Sequence, residues 1–352
     1  MKKRSPEVKF LIRILAVIGF VVIFLLVAGF VFLRVQSPHM LEFSRGITEI
    51  RVTTELDSLE DARFITGMHG CENICLEEGP GGLFVSCLDG FIHYLDTGLS
   101  GNLAIRKSFR AGQVVTGMSL DKNGNLVAAV CTAPAEEWKT RGGALYLVSG
   151  DLERMERLTG DYPAMNGICI DRDGNLYFTS SNFNFFRPEG TIYRMLYKSE
   201  GSFQEPEPFI RDAGLANGLY FDRAQEKAFF SNTMGGVYEF IPGDASLKAI
   251  YLKTRFMEAC DDLCTDISGN IWMTDPGQST VKMFNPGTNR LTRFVIKGIG
   301  QTSSCRIRSE NGREMLYITE LKQSQHPLSD VFDGRGVLVV PAQALLGRLQ
   351  PL

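Results

Sequence analysis

Glu72, Thr116, Asn166, Asn217 and Asp261 occupy one position of a recurring phrase, each five residues ahead of an acidic residue that closes a short apolar strand. All five side chains carry oxygen, and oxygens brought from distant segments to one point are what a hard cation binds. The phrase is plainest at Asn166, where NGICIDRDGNLYFTS runs strand, Asp-x-x-Gly turn, strand. It recurs as TGMSLDKNGNLVAA from Thr116, NGLYFDRAQEKAFFS from Asn217, DDLCTDISGNIWMT from Asp261 and, more weakly, ENICLEEGPGGLFVS from Glu72. A sixth copy, SCRIRSENGREMLYIT from Ser304, has two extra residues in its turn. Successive anchors lie 44, 50, 51, 44 and 43 residues apart, a period that marks a propeller or another repeat array.

Positioning these anchors requires strands. Each unit resumes in a later one: FIHYL from Phe91, ALYLV from Ala144, TIYRM from Thr191, GVYEF from Gly236, VKMF from Val281 and GVLVV from Gly336. Period-2 alternation with Gly, Asn and Asp turns, and no long amphipathic helical stretch between, argues for antiparallel blades rather than βαβ units. Six copies predict an all-β, six-bladed β-propeller over residues 43–352. Gly124, Gly174, Gly269 and Gly312 each follow their anchor by eight residues, so the anchors are equivalent backbone positions, which in a propeller ring the central channel. The predicted ring holds Glu72, Thr116, Asn166, Asn217, Asp261 and Ser304, with Asn73 beside Glu72 and Asp262 beside Asp261. A plain Asn-Gly hairpin is the competing reading, but each repeat already has its turn, and a second would leave a strand of only about four residues.

Carboxylate, carboxamide and hydroxyl oxygens converging on a narrow channel repel one another unless a positive charge sits among them. Calcium meets that need with about six to eight oxygen ligands in irregular geometry; magnesium or manganese is the second choice. A metal that only pins the blades is the competing role. Two carboxylates with several neutral donors leave positions for water or substrate, which favours a functional ion.

These residues resemble the metal-binding signatures of the senescence marker protein/gluconolactonase family and of the related paraoxonases and strictosidine synthase-like proteins, all six-bladed calcium propellers. The resemblance runs from about Arg45 to the end and is strong at the phrases around Glu72, Asn166, Asn217 and Asp261. It implies Glu72, Asn217 and Asp261 as calcium ligands and Asn166 as a pocket residue that also reaches the ion. The pairs Glu72-Asn73 and Asp261-Asp262 resemble the paraoxonase pattern and bring Asp262 into the expected ligand set. The chain also departs from the relatives. Thr116 and Ala133 stand where paraoxonases have channel histidines, Ala164 stands where gluconolactonases have a sugar-holding arginine, and Asn73 replaces the Asp expected for a second calcium.

The resemblance implies a calcium-dependent hydrolase of small lactones or esters, in which water attacks a carbonyl polarised by the ion. Asp261, or otherwise Glu72 or Asp262, is expected to accept the water's proton, with Asn166 at the ion and Thr116 orienting water or carbonyl by hydrogen bonding. Met165, Phe183, Phe185, Phe186, Phe256 and Met257 are expected near the channel mouth, with Met165, Phe183 and Phe256 contacting an apolar acyl chain together with Thr116. For the FNFF stretch, core packing and contact with a bilayer are the other readings. A non-catalytic membrane-anchored binding or scaffold propeller and a strictosidine synthase-like protein are the alternatives, since fold alone does not choose a function.

Ile14 to Leu33 is a run of twenty uncharged apolar residues, enough to span a hydrocarbon core of roughly 30 Å. Lys2, Lys3, Arg4, Lys9 and Arg13 precede it and only Arg34 follows closely, which predicts a cytoplasmic tail over 1–13, an uncleaved signal anchor over 14–33, a linker over 34–42 and an exoplasmic propeller. A cleaved signal peptide fits less well, because its apolar region is usually shorter and ends in a small-x-small site. Beyond Arg34, 31 Lys and Arg stand against 39 Asp and Glu, a net charge near −8 with no basic cluster, so no nucleic-acid partner is expected. Seven of the eight cysteines fall in repeat register, Cys71 and Cys260 just before an anchor, Cys75, Cys169 and Cys264 three after, Cys87 and Cys131 fifteen after. They read as small core residues, with a bridge between columns left open and zinc disfavoured by the lack of nearby histidine.

Overall fold

The computed structural model describes residues 6–36, 42–77, 81–96, 103–133, 137, 141–199, 201–256, 258–324 and 331–348. The first residues of the basic tail, most of the expected linker, Met257, His39 and His326 lie outside that set.

Six antiparallel blades follow one another along the chain, each with its innermost strand first. Blade 1 comprises Cys71–Leu76, Leu83–Cys87, Phe91–Asp96 and Ala104–Arg110, and blade 2 comprises Val114–Leu120, Leu126–Cys131, Ala144–Val148 and Met155–Arg157. Blade 3 is Ile168–Ile170, Leu176–Ser181, Gly190–Met195 and Glu207–Ile210; blade 4 is Ala216–Asp222, Lys227–Asn232, Gly236–Ile241 and Asp244–Leu252. Blade 5 is Leu263–Thr265, Ile271–Asp275, Thr280–Asn285 and Arg290–Lys297; blade 6 is Gln301–Glu310, Arg313–Lys322 and Gly336–Pro341. The six repeated phrases thus form the two inner strands of every blade, and the six later segments form the third.

Two strands lie ahead of the first repeat. Thr48–Glu55 runs parallel to Arg290–Lys297 on the rim of blade 5. Arg63–Thr66 pairs antiparallel with Gly336–Pro341 and supplies the fourth strand of blade 6, so the first part of the propeller closes the last.

The acidic residue at the end of each phrase shapes the turn. Asp121, Asp171 and Asp266 accept backbone N–H groups from Asn125, Asn175 and Asn270 at 2.8 to 2.9 Å. Gly124, Gly174 and Gly269 complete these turns at φ of 79°, 89° and 76°, a region that side-chain-bearing residues rarely adopt. Between blades, apolar faces interlock: Phe84, Ile92, Met118 and Ala128 join blades 1 and 2, and Cys169, Ile192, Leu219 and Phe230 join blades 3 and 4. The thiols take part in this packing as the repeat register predicts. Cys71 and Cys87 lie opposite each other with their sulfurs 3.6 Å apart, as free thiols.

The helix Pro6–Gln36 precedes the propeller, and its stretch Phe10–Phe32 is long and apolar enough to cross a bilayer by length and composition. The chain joins the blades at Ser44, whose N–H donates to the Lys253 carbonyl at 3.2 Å and whose Oγ accepts from Leu252 N–H at 3.0 Å.

Candidate metal centre at the start of the innermost strands

The anchors sit where strand pairing slips. The ladder between first and second strands breaks register at Cys71/Asn73, Val115/Met118, Ala216/Leu219 and Thr302/Cys305. Each irregularity frees the residue inside it, Glu72, Thr116, Asn217 or Ser303, from regular pairing and re-aims its side chain, as bulges beside functional sites do. Asn166 and Asp261 stand just before the short first strands of their blades, held by backbone bonds to Thr179 and Thr274.

Four of the expected ligands come together. Ser303 Oγ lies 2.6 Å from Glu72 Oε2 and 2.8 Å from Asp261 Oδ2. Asn166 hydrogen-bonds Glu72, and Asn217 hydrogen-bonds Asp261. Asn217 Nδ2 also lies 3.1 Å from Thr233 Oγ1, while its Oδ1 is buried without a hydrogen-bond partner. Both carboxylates are buried. Burial first, and then the Asp262 charge, push Glu72 up to about 7; burial and the neighbouring Glu72 raise Asp261 well above its ordinary range. A single hydroxyl has one proton to donate, so Ser303 satisfies both oxygens only if one carboxyl is protonated. A divalent cation among these oxygens removes that requirement and gives Asn217 Oδ1 a partner, so the donor set fits a hard ion. Among the described residues no three His, Cys, Asp or Glu side chains converge as a metal-binding group; the two carboxylates here are joined by carboxamides and a hydroxyl.

Other expected site residues go elsewhere. The ring serine is Ser303, one residue before the expected Ser304, because the first strand of blade 6 runs on to Glu310 and puts Gly312 nine residues, not eight, after the equivalent position. Ser304 Oγ, Asn73 Nδ2 at 2.8 Å and Arg306 at 2.7 Å all donate to Asp262 Oδ2. Asp262 is therefore engaged in a buried ion pair one layer down the channel, apart from the Glu72 and Asp261 oxygens. Thr116 Oγ1 donates to the Met165 carbonyl at 2.9 Å, which commits its hydroxyl to joining blades 2 and 3. Met165 does not reach the mouth: its side chain is buried with Val127, Ala129 and Ile168 between blades 2 and 3. Phe183 is half-buried at φ 47° and lines a narrow crevice, with no room for a water molecule, together with Ala164, Asn166, Ser181, Asn217 and Thr233. Phe256 is exposed on the segment leading to Asp261, and Phe185 and Phe186 are exposed rather than packed in the core. A larger cavity of about 1560 Å³ opens on the other side of the ring, lined by Ile74, Met118, Cys169, Tyr220, Arg306 and Arg308 among others.

Two further sets position the ring and escaped the sequence reading. Thr179, Ser231 and Thr274 donate to the anchor carbonyls of the next blade, Asn217, Asp261 and Ser303, and accept from the Gly167, Gly218 and Asp262 N–H groups of their own. Ser86 likewise donates to the Thr116 carbonyl. Each lies 13 or 14 residues after its anchor, a spacing the repeats display openly. Thr274→Val keeps the shape but strands the Ser303 carbonyl and the Asp262 N–H; a loss of about 1–3 kcal/mol is expected in chemical denaturation. The second set backs Asp261. Lys282 Nζ donates to Glu258 Oε1 and to the Ala259 carbonyl at 2.8 Å each and lies 3.2 Å from Asp275 Oδ2, all fully buried. Arg293, Tyr251 and the Thr254 and Arg255 N–H groups complete the cage around Glu258.

Residues 168–322 match the family model described as SMP-30/Gluconolactonase/LRE-like region. Diisopropyl-fluorophosphatase of Loligo vulgaris is 26% identical over 125 residues, 34% of this chain and 40% of its own length. Pentonolactonase XacC of Haloferax volcanii is 22% identical over 191 residues, 52% and 60% respectively. The chain thus spans less than two thirds of the length of either. Among solved structures, the calcium-binding protein regucalcin of Agrobacterium tumefaciens superposes with a TM-score of 0.60 at 14% identity, covering 83% of this chain and 95% of that one; at that identity the likeness is one of fold.

Proposed function

From the premise that residues 168–322 are a gluconolactonase-like region within a six-bladed propeller, we propose that the chain is a calcium-dependent hydrolase of lactones or carboxylic esters, held to a membrane by its N-terminal helix with the propeller on the exoplasmic side. The observation that carries this reading is the buried meeting of Glu72 and Asp261 on Ser303 beside Asn166 and the unpartnered Asn217 Oδ1. A lactonase and a calcium-binding propeller among the similar proteins support it.

Glu72, Asn166, Asn217 and Asp261 would hold the ion, with Ser303 within reach. Bound there, calcium supplies Lewis-acid polarisation of a carbonyl oxygen. The chain's own part is to hold and move a proton. Glu72 Oε2 and Asp261 Oδ2 are the two sites that can take it from an attacking water, and Ser303 Oγ, hydrogen-bonded to both, can pass it between them. Asp262 is unsuited to that task, because Arg306, Asn73 and Ser304 occupy its Oδ2. Phe183 and Ala164 shape an apolar wall beside Asn166, which suits an acyl chain better than a bare sugar.

The full chain, purified in detergent, is to be screened against aryl esters and against short- and long-chain lactones, with and without chelator. Chelator-sensitive turnover that disappears in Asn217→Ala supports the hydrolase. The crevice beside the ring is too narrow to admit a water molecule, far short of the roughly 300 Å³ at which ligand pockets begin, and this favours the non-catalytic binding propeller as the second reading; metal binding without turnover would select it.

A pH effect follows from Glu72. Its ordinary value is 4.5 and its folded value about 7, so ionising it costs the folded state, and metal-free protein loses stability as pH rises through that interval. Bound calcium offsets the cost. The gain in Tm on adding saturating calcium is therefore expected to be small near pH 5 and to reach a plateau by about pH 8; a gain that does not change with pH would count against these ligands.

A further inference from the structure

The chain enters the propeller on the face that carries the candidate metal centre. Innermost strands start at the anchors and second strands return toward them, so the links from second to third strands, and those into each new blade, open on the anchor side. Ser44 docks on Leu252 and Lys253, at the end of blade 4's outer strand on that side. The eight peptide steps from Gln36, the last helical residue, to Ser44 reach at most roughly 28 Å.

Exposed apolar side chains are distributed unevenly. Outside the N-terminal helix, the described large ones are Phe43, Phe185, Phe186, Phe256, Val331 and Phe332 on the anchor face, all between 39% and 62% exposed, against only Ile241, Leu247 and Ile267 elsewhere. They come from separate segments, the stretch before Ser44, the 182–189 link, the segment into Asp261 and the stretch before Gly336. Phe332 packs against Gly70, two residues before Glu72, so the patch reaches the rim of the ring. Scattered exposed apolar residues need no explanation, but aromatics gathered on one face beside a membrane-spanning helix do.

We propose that the anchor face lies against the bilayer that holds the helix, with Phe185, Phe186, Phe256 and Phe332 seated in the headgroup region and the ring turned toward lipid. This rests on the reading of the helix as a membrane anchor. The short tether favours it: reversing the propeller would spend roughly 20 Å of that reach along a six-residue blade wall and leave little to clear the headgroups. Interfacial seating of such side chains reaches about 5–10 Å into the headgroup and acyl boundary. The substrate class that follows is an amphiphilic ester or lactone taken from the membrane rather than a free sugar lactone.

The test uses the full chain in phosphatidylcholine vesicles with brominated acyl chains, carrying Phe186→Trp, Phe256→Trp or, as control on the opposite face, Ile267→Trp; Trp138 and Trp272 give all three the same background. Quenching of the first two at least about twofold beyond that of the control is expected, given their seating depth. Protein that floats with the vesicles but shows equal quenching at all three positions overturns the orientation while leaving the anchor intact. Protein that fails to float overturns the anchor and this proposal together. Self-association that shields Phe186→Trp from brominated lipid overturns it in favour of a second copy on this face. Turnover of soluble lactones, measured in the same samples, reports on the hydrolase reading independently.

Discussion

Asp261→Ala is expected to abolish calcium binding and chelator-sensitive turnover while leaving the metal-free propeller at least as stable as the parent. Losing an outer-shell partner of a metal ligand typically costs 10–100-fold in affinity, so losing a ligating carboxylate should cost on the order of a hundredfold or more. The stability half of the expectation is the more diagnostic. Burial and then the Glu72 charge hold Asp261 well above its ordinary range, so removing the Asp261 carboxylate removes a buried group that resists ionisation. The Asp261 backbone still donates to Thr274 and accepts from Ser231 and Gly218, which keeps blades 4 and 5 joined. Calorimetric titration with calcium, and Tm in chelator, read the two effects separately. Asp262→Asn should do the reverse. It leaves the buried Arg306 guanidinium without its carboxylate, which costs about 3–5 kcal/mol, yet keeps the Glu72 and Asp261 carboxylates in place. If Asp262→Asn removes calcium binding while Asp261→Ala spares it, the assignment of the centre is wrong.

Lys282→Met should be among the most destabilising single changes in the chain. Its ammonium faces two carboxylates, Glu258 and Asp275, all three without solvent exposure. Burial opposes ionisation of Glu258, yet Lys282 and Arg293 hold its pKa well below the usual carboxylate range. Asp275 is instead raised, by burial and then by the Glu258 charge, despite Lys282. Glu258 is thus the firmly ionised member of the pair, and deleting Lys282 leaves it with Arg293 alone. Breaking such a pair costs about 3–5 kcal/mol, to be read from the denaturation midpoint. Lys282 also donates to the Ala259 carbonyl, two residues before Asp261, so calcium affinity should fall alongside stability. Lys282→Arg, which keeps the charge, is expected to recover part of the stability and less of the affinity, because its planar fork cannot reproduce the contacts of an ammonium.

Much of the architecture was legible because a propeller repeats its own grammar. The phrase from Asn166 names its copies, and the copies supply Glu72, Asn217 and Asp261 as positions equivalent to it. What resisted reading depended on a single residue of register. Ser303 rather than Ser304 meets the carboxylates because the first strand of blade 6 is longer than its counterparts, which displaces a count taken back from Gly312. Met165, next to Asn166 in sequence, is instead buried between blades 2 and 3. Thr116 was assigned a chemical role from its place in the ring, but its hydroxyl already has an acceptor in the next blade. The hydroxyls at Thr179, Ser231 and Thr274 passed unnoticed despite their regular spacing, because a short polar residue inside a buried strand announces nothing until its partner, some 30 to 40 residues away, is known. The Lys282 cluster is of the same kind: charges that cancel only in three dimensions look like surface in one.

The strand Arg63–Thr66 waits for Gly336–Pro341. During synthesis this strand leaves the ribosome about 270 residues before its mate, so the ring cannot shut until the last blade has been made, and contacts of such sequence separation are slow to form. Until then the growing chain displays an unpaired edge at each end of an open arc, the kind of edge that recruits other strands. A nascent chain released early, for instance just after Asn285, lacks the whole last blade and with it Ser303, and should be a substrate for quality control rather than a smaller working protein.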